Sequence, residues 1–201
     1  MTSEEFNAVL AVHLQGGFHV VRPAFERMCN AGYGRIVLTS SIAGLYGDRQ
    51  VANYAAAKTG MVGLANVAAL EGADHGVKCN LILPGAVTRM AEGIDTGSYP
   101  ATMAPEAVAP AVAWLAHKSC SITGEMLVSM GGRIARAVLA ETEGVYNPSW
   151  TLEEVAAQMN NIRNTECLKI FSPIPSGHDE HINFSFEMGE GGAVSERKFL
   201  D

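Results

Sequence analysis

The chain has 201 residues, 48% of them hydrophobic and 17% charged, a balance that excludes an extended disordered protein. Its net charge of −7 excludes a phosphate-tracking nucleic-acid surface, which needs clustered Lys and Arg. No uninterrupted apolar run is long enough to span a bilayer, so no membrane partner is expected.

Thr2 or Ser3 can cap a first helix, with Glu4 and Glu5 in its favourable first turn. Phe6, Val9, Leu10, His13, Leu14 and Gly17 follow helical spacing and make one apolar stripe. "RIVLTS" (Arg35 to Ser40) is short and nearly all apolar, which predicts a strand buried on both faces of a parallel sheet. Tyr54 to Glu71 reads as a helix rich in Ala and Gly. "VKCNLIL" (Val77 to Leu83) is a second strand, stopped by Pro84 and Gly85. Pro105 to His117 is a helix with Pro at its start. "EMLVSM" (Glu125 to Met130) is a third strand, stopped by Gly131 and Gly132. Strands and helices in alternation predict an α/β fold with right-handed crossovers.

Beyond Gly132 the pattern changes. Ile134 to Glu143 reads as helical, and Thr151 with Glu154 forms a capping box for a helix reaching about Arg163. From Phe171 the chain is rich in Pro and Gly, and a loose tail is expected. The division expected is therefore 1–132 for the α/β domain, 133–170 for a helical extension and 171–201 for the tail. "HDEH" (His178 to His181) holds metal-ligand residue types but no helical frame, so a solvated loop and no metal are expected. The four cysteines, Cys29, Cys79, Cys120 and Cys167, are far apart with no C-x-x-C, which suits reduced thiols. "MTSEEFN" is no secretory signal and "KFLD" is no peroxisomal S-K-L address, so a cytoplasmic protein is expected.

Tyr54 and Lys58 stand four apart on one helical face, and Ser41 precedes Tyr54 by thirteen positions at the end of a buried strand. A free tyrosine, with a pKa of ~10, is a poor base at neutral pH. A neighbouring ammonium favours the phenolate, which can then take a proton from an alcohol or return it to a carbonyl. A strand-end serine can hydrogen-bond the oxygen whose charge changes. Tyr-x-x-x-Lys alone occurs by chance as a solvated pair, and Ser-Ser is ordinary turn chemistry. The combination with a second strand ending Pro-Gly points to a proton-transfer site for an alcohol–ketone pair.

From about Ser3 to Gly132 the chain resembles the short-chain dehydrogenase/reductase family, in "GRIVLTSSIAGLYG", "NYAAAK" and "NLILPGAVT". "VHLQG", "ANYAAAKTGMVGLAN", "CNLILPGAVTRM", "MAPEAVAPAVAWLAHKSC" and "NPSWTLEEVAAQMNNI" are similar to one branch, the (3R)-hydroxyacyl-CoA dehydrogenase part of multifunctional β-oxidation enzymes. The resemblance implies a Rossmann-like doubly wound parallel sheet and hydride transfer between NAD or NADP and a secondary alcohol or ketone, here a 3-hydroxyacyl thioester. It implies Tyr54 as acid/base, Lys58 tuning it and holding the nicotinamide ribose, and Ser41 orienting the substrate oxygen. Pro84, Gly85, Val87 and Thr88 would lie beside the nicotinamide. His13 stands where many members carry Asn in a proton relay; a packed core histidine is the other reading.

Members begin with a strand and a T-G-x-x-x-G-x-G turn that holds the cofactor phosphates at a helix N-terminus. This sequence has no such turn, so the resemblance covers the C-terminal half of the fold, and the half that selects NAD or NADP is expected to be missing. The function expected is that of an oxidoreductase, with the activity of this chain alone left open, and the alternative is a non-catalytic dimerisation partner or pseudoenzyme. "RIVLTS" would be left as an apolar sheet edge, which favours association. The helices around Phe6–Met28 and Tyr54–Glu71 build dimers in the family. Gly16, Gly17, Gly60, Gly63 and Ala65 are expected to let such helices approach closely in a homodimer or homotetramer.

Overall fold

The computed structural model describes residues 1–91 and 97–189. They form two compact units, divided between Ala137 and Val138.

The first unit opens on a long helical rod. Thr2 caps α1 (Ser3–Leu10) by a reciprocal exchange: its hydroxyl accepts from Glu5 N, and the Glu5 carboxylate accepts from Thr2 N. The rod passes through one π-turn, Ala11–Gln15, into α2 (Gly16–Asn30). β1 (Gly34–Thr39), α3 (Ile42–Tyr46), α4 (Ala52–Gly72) and β2 (Val77–Gly85) follow. Then come α5 (Ala109–Ala116), β3 (Met126–Met130) and β4 (Arg133–Ala137). The sheet order is β1-β2-β3-β4, with β1, β2 and β3 parallel and β4 antiparallel to β3. The α/β class with helices on both faces is thus as the sequence predicts.

β2 is the central strand and its alternation sets both layers. Val77, Cys79, Leu81 and Leu83 are buried beneath α4, whose inward residues include Ala57, Met61, Ala65, Ala68 and Ala69. On the other face Ile82 packs with Val108, Ala111, Leu115 and Cys120, and with half-buried Val37. Asn80, fully buried on that same face, ties down the loop before β3: its Nδ2 donates to Ile122 O at 2.9 Å, and its Oδ1 accepts from Glu125 N at 3.1 Å. Burial pushes the Cys79 thiol up to about 12.

Several expectations need correction. β1 is buried on one face only: Ile36 and Leu38 are covered, Val37 is half-buried and Thr39 exposed. Among the described residues β1 pairs with β2 alone. Ile134–Glu143 is not a helix. Gly131 and Gly132, at φ +59° and +80°, make the two-residue turn that returns the chain as β4. The glycines are also used differently. A Cβ on Gly17 would lie 2.8 Å from Met61 Cε, and one on Gly60 would lie 2.9 Å from Leu14 Cδ2. These two glycines therefore seat the rod on α4 within one chain, and Ala65 is buried there as well. Gly63 alone of the pair on α4 stays open.

The second unit holds a two-stranded antiparallel ribbon, β5 (Glu141–Thr142) with β6 (Leu168–Lys169), and helices α6 (Leu152–Ile162) and α7 (Asp179–Glu187). Thr151 and Glu154 close the capping box of α6. The loose stretch expected from Phe171 is instead helical over Asp179–Glu187, and "HDEH" enters that helix. Phe184 of α7 packs near Phe171, with ring centroids 5.7 Å apart, and His181 Nε2 lies 2.9 Å from Glu141 Oε2. The end of the expected tail, from residue 190, lies outside the described residues.

Asn80→Ala should destabilise the first unit by about 2–4 kcal/mol, because the part-buried Ile122 carbonyl and Glu125 amide both lose their partner. Urea unfolding checks this; a stability within about 0.5 kcal/mol of the parent would show that the Asn80 bonds are replaceable.

Candidate active site

The C-terminal ends of β1 and β2 place two short segments side by side. Thr39 of β1 pairs with Ile82 of β2, and Ser40 N continues the ladder by donating to Ile82 O at 2.9 Å. Ser41 then turns the chain out of the sheet. Its extended backbone (φ −155°, ψ 152°) makes it the cap of α3, with Oγ accepting from Ala43 N at 3.2 Å. Among the described residues the Ser41 O–H has no acceptor of its own. It therefore keeps a proton to donate.

Tyr54 and Lys58 lie on the first two turns of α4, beside this junction. Lys58 is 7% exposed. Its Nζ donates to Thr39 O at 2.9 Å and stands 5.5 Å from the centroid of the Tyr54 ring. Burial lowers the Lys58 pKa. The sequence places the amine beside the phenol. The structure adds that strand β1 supplies its acceptor through a main-chain carbonyl, which residue types do not reveal.

His13 sits on the π-turn of the rod and meets Tyr54 edge to face, ring centroids 5.3 Å apart at 87°. Burial first, then the Lys58 charge, hold its pKa below 6.5. His13, Tyr54 and Lys58 therefore form one continuous row. A π-turn re-aims side chains within a helix, and such turns gather at functional sites.

The segment after β2 leaves the same end of the sheet, where Pro84 and Thr88 line an apolar groove with Val108 and Val112. Pro84 and Gly85 still belong to β2 and pair with Ser129 and Met130. A Cβ on Gly85 would run into the Met130 side chain, so this glycine serves the contact with β3. Val87 N donates to Met103 O at 2.6 Å, and Thr88 Oγ1 accepts from Met90 N at 3.3 Å. Sequence reading missed Ser40 and Thr59. Ser40 is buried and its Oγ donates to Lys58 O at 2.8 Å; the single Thr59 O–H lies between two acceptors, Gly44 O and, at 2.9 Å, Ala55 O. The doubled serine was the available signal.

Residues 1–97, which carry the buried lysine, the tyrosine one turn before it and the strand-end serine, match the model of the short chain dehydrogenase family. The chain belongs to the short-chain dehydrogenase/reductase family. It is 38% identical over 171 residues to a short-chain type dehydrogenase/reductase of Mycobacterium tuberculosis, covering 85% of this chain and 60% of that protein. It is 36% identical over 196 residues to the peroxisomal multifunctional enzyme type 2 of Drosophila melanogaster, covering 95% of this chain and 33% of that protein. The solved full-length structure of that fly enzyme matches with a TM-score of 0.77 at 32% identity, over 95% of this chain and 36% of the other. The chain thus spans 60% of the mycobacterial relative and about a third of the fly enzyme.

The lowered pKa of His13 sets a direction for pH. The unfolded chain takes up a proton near 6.5, the folded chain only below that. The unfolded state binds more protons in between, so His13 contributes a loss of stability as pH falls below about 6.5. His13→Asn should therefore lose less of its urea midpoint than the parent between about pH 7.5 and 5.5. Parallel losses in the two proteins would contradict this.

Proposed function

We propose that this chain carries the proton-transfer half of an oxidoreductase that interconverts a secondary alcohol and a ketone. The observation behind it is the meeting of Ser41, with an uncommitted O–H, and the row Tyr54–Lys58 at the ends of β1 and β2. The substrate class we infer is a 3-hydroxyacyl thioester, on the resemblance to the (3R)-hydroxyacyl-CoA dehydrogenase branch and the likeness to the fly multifunctional enzyme.

The residues fit one end of a nicotinamide dinucleotide. Lys58 has three N–H donors and, among the described residues, one acceptor, Thr39 O, so two remain for a ribose diol. Pro84, Gly85, Val87 and Thr88 offer a wall suited to a flat ring. A bound NAD or NADP supplies the hydride acceptor or donor. Ser41 donates a hydrogen bond to the substrate oxygen, keeping its own proton, and fixes its direction. Tyr54 takes the hydroxyl proton in oxidation and returns it in reduction. Lys58 holds positive charge beside Tyr54, and His13 closes the row on the far side of the ring. The sequence contains no T-G-x-x-x-G-x-G turn for the phosphates.

A second reading is a non-catalytic dimerisation partner. It is favoured by the outward stripe of α4, where Ala52, Ala56, Gly63 and Val67 are exposed, with Val12 and Val20 on the rod. The two readings share an assembly: a homodimer that covers these helices, or a tetramer built from it.

At saturating cofactor, Tyr54→Phe should reduce turnover of a 3-hydroxyacyl thioester by at least ~100-fold and leave dinucleotide binding unchanged. Rates near the parent value would remove Tyr54 from the chemistry; a parent with no turnover would favour the second reading. NAD or NADP itself should bind to this chain no tighter than about 1 mM, since only its nicotinamide end finds donors here. Micromolar stoichiometric binding in a calorimeter would overturn that. In sedimentation the chain should be at least dimeric, and Val67→Lys should weaken the dimer; a parent that stays monomeric at micromolar concentration would exclude this face as an interface.

A further inference from the structure

Three consecutive residues at the end of β1 each touch a different part of the site. Thr39 O accepts from Lys58 Nζ at 2.9 Å. Ser40 Oγ donates to Lys58 O at 2.8 Å. Ser41 presents a hydroxyl that accepts from Ala43 N and, among the described residues, donates to none. Lys58 is thus gripped at both ends, side chain and main chain, by the two residues immediately before Ser41. Ser40 is also fixed on its other side, since its N–H donates to Ile82 O at 2.9 Å. Through one residue, 1% exposed, β2, α4 and the Ser41 turn share a common reference point.

A second tie lies next to it. Thr59 Oγ1 donates to Gly44 O, joining α3 to α4. The backbones are in direct contact there: a Cβ on Gly44 would lie 3.0 Å from the Lys58 carbonyl carbon and 3.0 Å from Thr59 N. The loop that carries Ser41 is therefore clasped to the helix that carries Tyr54 and Lys58 at two adjacent helical positions.

Polar satisfaction does not require the Ser40 bond. Lys58 lies inside α4, where its carbonyl faces the amide four residues ahead. An alanine at position 40 would fill nearly the same space and leave no unpaired acceptor on the helix. What the hydroxyl adds is a fixed distance between the Ser41 turn and α4. Misplacing a catalytic group by about 1 Å can cost ~100-fold in rate.

We propose that Ser40, assisted by Thr59, is a positioning residue: it sets the separation of Ser41 from Tyr54 and Lys58 without touching substrate. This rests on the oxidoreductase reading for its consequence in rate, but not for its geometry. The test uses the full chain with Ser40→Ala and, separately, Thr59→Val, a substitution at an exposed position that leaves the core intact. The first readout is magnetic resonance of the His13 and Tyr54 rings, which lie edge to face at the far end of the row. Both variants should shift these resonances. The second is steady-state turnover of a 3-hydroxyacyl thioester at saturating cofactor. kcat should fall by ~10-fold or more while the substrate KM changes by less than about threefold.

A Ser40→Ala protein that merely unfolds at lower urea, with ring resonances and kcat unmoved, would overturn the proposal. So would a raised KM with unchanged kcat. If Ser40→Ala fails to fold, Thr59→Val decides by the same resonances. If the parent turns over nothing, the oxidoreductase reading fails, and the ring resonances still decide whether Ser40 holds the geometry.

Discussion

Helix α4 can lie close on β2 only because its downward face is nearly free of bulk. Ala57, Ala65, Ala68 and Ala69 are all at most 5% exposed and present a methyl group each to the strand. At the far end Gly72 carries nothing: a Cβ there would lie 2.8 Å from Val77 O. A leucine at any of these places would lift the helix from the sheet and force rearrangement around it. The consequence reaches the site. With the helix this low, the carbonyl of Lys58 comes within reach of the Ser40 hydroxyl, and its ammonium reaches back to Thr39 O.

That closeness has an energetic consequence. An ammonium that is almost covered is disfavoured by the loss of its water, and one carbonyl dipole offsets only part of this. Burial moves Lys58 downward accordingly. In the linkage sense the charged side chain is a destabilising element at neutral pH, relieved as pH rises through its lowered value. Nothing in the packing of α4 asks for a lysine at this depth, where Met61 and Val62 nearby show what the core accepts. A functional site is the ordinary reason for retaining such a group.

Much of this was legible in the sequence, for identifiable reasons. β2 announces itself as a run of apolar residues because both of its faces are covered, and α4 by its alanine content. The spacing of Tyr54 and Lys58 gives their shared face without any tertiary information. The apolar composition of β1 suggests two-sided burial, whereas Val37 is only half-buried against the cluster around Ile82 and Leu115, and Thr39 remains open. β4 was missed because "RIARA" has no strong preference; the Gly131–Gly132 pair before it was the better clue and reads as a hairpin turn once both φ values are seen to be positive. The glycines of the rod and α4 correctly signalled close helix packing but not whose helix. Gly17 and Gly60 answer to Met61 and Leu14 of the same chain. The grip of Thr39 and Ser40 on Lys58 was beyond reach, since it depends on how deep α4 sits and on main-chain acceptors that every residue possesses.

The distribution of sulfur in the first unit builds a clock into the protein. Cys79 sits in β2 with no exposure, and Cys120 at 1% packs under α5 near Asn80. Only a thiolate attacks an alkylating reagent, and Cys79 is both sealed and held in its protonated form. Neither sulfur can be labelled while the sheet is closed. Cys167 in the second unit is exposed and has no such protection. Mixed with a thiol reagent, the chain would therefore label exposed Cys167 and half-buried Cys29 of α2 ahead of Cys79 and Cys120, whose rates are set by separation of the strands. Counting adducts against time would report how often β2 loses its cover, strand by strand, under conditions where the folded population is close to complete.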